Sequence, residues 1–323
     1  MCRLPITIAM AGATALLIFN VGRCPAAPTP TAERARLDEI TSRGLMLVTY
    51  DRAAEAGNKA VAGIRPDPRR FEYFLANPDS ATTSGAAGWT VLFASLHDNG
   101  DRLEAAYSAQ GDPATGDFAA TAYPSPVVVT GRPVAAFRAL AHVRQQFGET
   151  ASRPTNYFVL DEPGTGNLLV YAIPAQTSKV ASLLGPDARF TFLADGRTLL
   201  DRRNMHDVET IVVVPADAEF TSHTTTLAGG PEDTDVFHVM TRPGKKTPDV
   251  VTGPEGLAYT IAVDGTISTL ATDIPAPPIP VGFPEKTDSG TTTAKTTSAY
   301  AVDTATTAPA KRPARAASKS RKR

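Results

Sequence analysis

Apolar positions change period near residue 150, and the change divides the body of the chain. Before it, helical spacing dominates. AERARLDEITSR (32–43) suits a short amphipathic helix ending at Gly44. GLMLVTY (44–50) reads either as a strand or as the start of a helix continuing through DRAAEAGNKAV. Arg70 to Ala76 has room for two helical turns, stopped by Asn77-Pro78, and 80–88 reads as a loop. WTVLFASLHDNGDRLEAAYSA (89–109) is a hairpin, with Asn99-Gly100 supplying the positive backbone angles of a tight turn. A further strand is expected near Asp117 to Ala122. RPVAAFRALAHVRQQFGE carries the strongest helical pattern: Val134, Phe137, Leu140, Ala141 and Phe147 recur on one face, Pro133 sits in the first turn, and Gly148 ends it.

After Gly148 the period falls to two. NYFVLDE (156–162) and NLLVYAI (167–173) are strands joined by PGTG, and SKVASLLG reads as a short helical piece. RFTFLADGRTLLD forms a second hairpin, turning at Asp195-Gly196. ETIVVV, EFTSHTTTL, DVFHVMT and LAYTIAV follow as strands, the last turning at Asp264-Gly265 into TISTL. Short, even runs with frequent turns predict an antiparallel meander, and its apolar face needs a cover, which the helix at 133–148 supplies. The expected class is α+β: a meander sheet covered by one main helix, with a smaller helix-containing N-terminal part. The expected divisions are a signal peptide at 1–26, an N-terminal α+β part at 30–130, helix plus sheet at 131–274, and a disordered tail at 275–323.

The ends carry different information. MCRLPITIAMAGATALLIFNVGRCPAAPTP has one Arg before an apolar run and small residues after it, the pattern of a secretory signal cut near Ala26 or Ala27. The alternative is an uncleaved membrane anchor, for which the run is slightly short and is interrupted by Asn20. Lipid attachment at Cys24 is disfavoured by Arg23 just before it. Both cysteines, Cys2 and Cys24, lie here, so the cleaved chain has no disulfide, thiolate metal site or cysteine nucleophile. From Asp273 the chain is dense in Pro and then in Thr, Ala and Ser, with too little apolar surface to offset its ordering entropy. The formal charge of −1 for all 323 residues hides an asymmetry: 1–26 carry +2 and 275–323 carry +6, leaving −9 on the body. Lys311, Arg312, Arg315, Lys319, Arg321, Lys322 and Arg323 make a run without an acid, suited to anionic polymers or lipid surfaces by counterion release and without sequence-specific nucleic-acid recognition.

Catalytic signatures are scarce. No Gly-x-Ser-x-Gly elbow, His-Glu-x-x-His or Walker loop is present. Gly164-Thr165-Gly166 joins two strands and reads as a turn, and RPGKKT (242–247) as a solvated loop. Three of the five histidines, His206, His223 and His238, fall in the sheet half and raise a zinc site as the alternative chemistry. A hairpin pairing Val214 with Glu219 would place His223 opposite Thr210 and leave His206 about 13 Å away at about 3.3 Å per residue, too far for one ion. Whether His223 and His238 meet depends on a register the sequence leaves open. The simpler readings are a buried core histidine at 238, an exposed strand position at 223, and the polar end of a strand at His206-Asp207-x-Glu209. Glu232, Asp233 and Asp235 form an acidic loop with only loose calcium-binding character.

GPDARFTFLADGRTLLDRRNMH (185–206), together with NLLVYAIPA (167–175), resembles a group of uncharacterised secreted bacterial proteins. The resemblance implies export and carries no activity or site. The expected function is therefore a non-catalytic, secreted or periplasmic binding protein, with an envelope or protein partner and a polycationic tail. The alternative is a metal-dependent hydrolase using the sheet histidines.

Overall fold

A computed structural model describes residues 30–79, 88–148, 154–215, 217–225, 229–244, 246–254 and 256–270. The signal expected at 1–26, nearly all of the 80–88 loop, and the tail at 275–323 lie outside them. The described residues form three helices and fourteen strands in an α+β arrangement of antiparallel sheets.

Helix α1 (Pro30–Gly63) runs on where a stop at Gly44 was expected. Its buried positions Leu37, Ile40, Gly44, Leu47, Tyr50, Ala54, Gly57 and Val61 recur every three or four residues, the stripe of a helix packed along its whole length. The glycines are packing positions. A Cβ at Gly44 would lie 2.5 Å from the Val236 Cβ, and one at Gly57 would lie 2.5 Å from a Val91 methyl. A glycine in mid-helix usually weakens it by about 1 kcal/mol relative to Ala, and here close approach offsets that loss.

Against α1 lies a four-stranded antiparallel sheet in chain order: β1 (Tyr73–Pro78), β2 (Trp89–His97), β3 (Arg102–Asp112) and β4 (Asp117–Val129). Residues 73–76 are thus strand, not the expected helix. Two turns of helix are marginal alone. Pairing with β2 satisfies the backbone instead and brings Phe71 and Phe74 to within 5.3 and 5.9 Å of the Phe93 ring. The hairpin at Asn99-Gly100 forms as expected, with φ of 55° and 94°.

Helix α2 (Arg132–Gly148) leads into a second antiparallel sheet, ordered β5 (Thr155–Asp161), β6 (Leu168–Pro174), β8 (Asp187–Phe192), β9 (Leu199–His206). The segment expected to be a short helix before β8 is strand β7 (Ala181–Leu184), which pairs with β10 (Thr210–Val213). A third sheet is ordered β11 (Thr221–Thr224), β12 (Asp249–Thr252), β13 (Ala258–Ile261), β14 (Ile267–Thr269).

Within that third sheet β11 and β12 run parallel. A parallel pair needs a crossover, and helix α3 (Asp233–Thr241) supplies it. DVFHVMT, expected as a strand because of its β-branched and aromatic content, is therefore helix. The capping box between Glu232 and Asp235 starts it, and burial of residues 233–239 overrides their propensity.

Two apolar cores result. The larger joins the second half of α1, the first sheet, α2 and the second sheet, with Tyr50, Phe137, Tyr171, Phe190 and Phe192 among its fully buried rings. The smaller joins Leu37 and Ile40 of α1 to Val236 and Val239 of α3 and to the third sheet through Val251, Tyr259, Ile261 and Ile267.

Candidate functional site

The short connection into α3 and the ends of four strands concentrate polar groups where the second and third sheets meet. His206 ends β9, and Asp187 begins β8 as its cross-strand partner. His206 Nδ1 lies 2.9 Å from Asp187 Oδ1. On the third sheet, Asp249 pairs in register with Thr221, and His223 stands two residues on, on the same face. His223 Nδ1 lies 3.1 Å from Asp249 Oδ2. Between the two rings comes Asp235 from α3. Its Oδ2 accepts the Glu232 backbone N–H at 2.7 Å, which leaves Oδ1 facing the histidines. That oxygen is 3.0 Å from His206 Nε2 and 3.1 Å from His223 Nε2. The side chains are sealed: His206 is 7% exposed, His223 6% and Asp235 0%.

Close as they are, Asp235 Oδ1 and the two Nε2 atoms make no hydrogen bond of acceptable angle. Two imidazole nitrogens and a carboxylate oxygen within 4.8 Å of one another form a donor set for a first-row divalent metal ion.

Electrostatics follow burial and charge. Burial by itself would lower His206, but Asp235 and Asp187 outweigh it and raise it to about 11. His223 is raised to about 9 by Asp235 and Asp249 against the same opposing effect. Burial would raise Asp235, yet the two imidazoles hold it well below the usual carboxylate range. His238 behaves differently: burial pushes it down to about 4.

Of the three histidines considered for zinc, the structure brings His206 and His223 together, with ring centroids 5.9 Å apart. The separation expected from a hairpin does not arise, because β10 pairs with β7 and never with β11. His223 is enclosed rather than exposed. His238 is a buried histidine, as expected, but on a helix. Its Nδ1 lies 3.4 Å from Ser182 Oγ, its Nε2 has no hydrogen-bond partner, and Asp235, one helical turn before it, takes the third donor position. His206 does end a strand; Asp207 and Glu209 beyond it are exposed and outside the network.

The acidic trio is divided among different partners. Glu232 pairs with Arg203. Asp233 accepts from the Tyr171 hydroxyl at 2.8 Å and Arg189 at 2.7 Å, and from Arg43 of α1 at 3.0 Å. Only Asp235 faces the histidines, so the three share no common ion. Asp187 and Asp249 had no distinguishing sequence pattern, since their roles arise from pairing between distant strands.

Elsewhere, a cleft of about 770 Å³ opens between α1, β1, α2 and β5. Asp51, Glu55, Tyr73, Phe74, Arg144 and Tyr157 are among its walls. Asp51 flanks the buried α1 stripe, next to Tyr50, and is itself partly buried. Burial, then the neighbouring Glu55, push its carboxyl up to about 6. A second cleft of about 800 Å³, adjoining at Tyr73 and Arg144, includes Arg138 and Arg197, which both pair with Asp101. Neither cleft includes a member of the histidine network.

The basic residues Lys311, Arg312, Arg315, Lys319, Arg321, Lys322 and Arg323 lie outside the described residues. Among those described, no helix is long and apolar enough to cross a membrane. Set against protein-family models, curated proteins and solved structures, the chain matches none of them.

Proposed function

We propose that this is a non-catalytic binding protein, exported after loss of residues 1–26, whose ligand occupies the cleft between α1, β1, α2 and β5. The ligand chemistry suggested by the walls is a small organic cation with an apolar body. One observation carries this reading: Asp51 stands half-buried in the cleft wall beside Glu55, and the pull of the neighbouring Arg52 does not offset burial and Glu55. The rings of Phe74 and Tyr157 offer apolar and cation–π surface to the same volume, whereas Tyr73 already carries Arg144 on one face. Arg144 also lines the cleft, but it is engaged with the Tyr73 ring, 4.9 Å from its centre, and is not among the charges that act on Asp51.

Burial weighs against the hydrolase alternative. His206, His223 and the Ser182–His238 pair are enclosed, and neither cleft gives a substrate a route to them. Ser182 and His238 also lack the third group that would orient the imidazole as a base, because Nε2 is unpartnered and Nδ1 faces the serine. The Lys311–Arg323 run is proposed to hold the exported protein at an anionic surface of the envelope.

The cleft is tested with one aromatic body in three charge states: phenethylamine, 2-phenylethanol and phenylacetate. The amine is expected to raise the melting temperature and the other two to leave it unchanged, and Asp51→Asn with Glu55→Gln should abolish the effect. Equal responses to all three, or an amine response that survives both substitutions, would remove the proposal.

A further inference from the structure

We infer that His206 Nε2, His223 Nε2 and Asp235 Oδ1 bind one divalent zinc ion, which joins β9, β11 and α3. This site is separate from the cleft and does not depend on what the cleft holds. The first ground is distance. In tetrahedral zinc sites with nitrogen and oxygen bonds near 2.0–2.1 Å, neighbouring donor atoms are about 3.3 Å apart. The two nitrogen–oxygen separations here are 3.0 and 3.1 Å, and all three donor atoms lie within 4.8 Å of one another, so the two rings need only a small adjustment to close on one ion.

The second ground is the direction of the donors. Both Nε2 atoms and Asp235 Oδ1 are buried, and none makes a well-angled hydrogen bond to another or to any further group. The three atoms meet at one point with charge attraction but without aligned hydrogen bonds, and one cation would be ligated by all three at once.

The third ground is the outer layer. A metal-bound histidine usually gives its other ring N–H to a carboxylate, which fixes the tautomer and aims the free nitrogen. Both rings do so, to Asp187 and to Asp249. That layer is itself held. Asp249 Oδ1 accepts from the Thr221 hydroxyl at 2.7 Å, and Thr221 Oγ1 accepts in turn from Arg242. Asp235 is fixed by the capping box of α3.

The donor types suit zinc, three protein donors leave its fourth position to a water, and the enclosure means that the ion enters as the chain folds. On binding, each ring releases its Nε2 proton to solvent, so that two neutral imidazoles and one carboxylate face the ion. The ion would tie together residues 206, 223 and 235, which lie on three different elements.

The full chain, stripped with chelator and dialysed, is titrated with Zn²⁺ alone. One ion per chain is expected, with a raised melting temperature, and Co²⁺ in its place should give the visible absorption of a low-coordinate nitrogen–oxygen site. His206→Gln, His223→Gln and Asp235→Asn should each weaken zinc by at least about 100-fold, whereas Asp187→Asn, which alters only ring orientation, should weaken it about 10–100-fold. His97→Ala, on the first sheet, should bind as the parent does. Should the ligand variants fail to fold, the parent's stoichiometry and cobalt spectrum still decide. Absence of a bound ion at micromolar zinc, or stoichiometric binding that survives both histidine substitutions, overturns the inference.

Discussion

At the scale of single residues, Asp51 is the position where packing and chemistry conflict. Tyr50 and Ala54 carry the buried face of α1 at this level, and the Asp51 carboxylate beside them is drawn partly out of water at the cleft wall. A folded-state value of about 6 against an unfolded value of 3.8 means that the native state holds the proton more tightly. Stability therefore rises as pH falls through about 6, and the penalty is fully present above it. Asp51→Asn is expected to stabilise the protein by about 1–2 kcal/mol near pH 7.5, allowing for partial solvent screening, with the gain gone by about pH 4. Urea unfolding at the two pH values measures this, and an equal gain at both would show that charge is not the cause. The same substitution should weaken amine binding, so that stability and function would be opposed at one side chain. The sequence shows Asp51 only as one acid among many, because its discomfort depends on β1, α2 and β5 closing around it. His223 is hidden from the sequence for the same reason: its threonine neighbours suggest an exposed strand, while its surroundings come from α3 and β12.

Among elements, those set by local chemistry were legible, and those set by distant partners were not. Both hairpins at Asn-Gly and Asp-Gly steps, helix α2 and the strands around PGTG follow from a few adjacent residues. A single strand at 73–78, a helix at 233–241 and a β7–β10 pair do not. For α3 a signal was present in the acids of the first turn and the Glu232/Asp235 cap, but it was outweighed by β-prone residues after it. Distance between His206 and His223 depended wholly on which strand β10 chose. The crossing of α1 and α3 offers a test at this scale. Gly44→Ala should lower stability by about 2 kcal/mol, since the added methyl meets Val236 and the Asp233 backbone and overpacking outweighs the helix-propensity gain. Gly63→Ala, with nothing within 4 Å of the new atom, should be neutral or slightly stabilising. Chemical denaturation compares the two; a Gly44→Ala protein as stable as its parent would mean the helices are not in contact there.

For the molecule as a whole, charge is the property the sequence expresses most directly. A body of −9 and a basic run of seven Lys and Arg predict attraction to anionic surfaces through the run alone. Full-length protein should bind anionic vesicles, with affinity falling steeply between about 50 and 200 mM salt, while neutral vesicles retain none. Replacing the seven cations by Gln should abolish retention, and a replaced protein that still binds would assign the attraction elsewhere.

Helix α1 imposes a further condition on the molecule. Its first turns serve the smaller core, its later turns serve the larger, and Thr41 reaches the carbonyl of Gly265 at 3.3 Å. One rod thus keeps two bodies in rotational phase. Adding or losing a single residue between Ile40 and Leu47 would turn one set of contacts by about 100° relative to the other. Neither core could then be satisfied without unseating its neighbour, so the length of that stretch is as much a specification of the protein as any side chain on it.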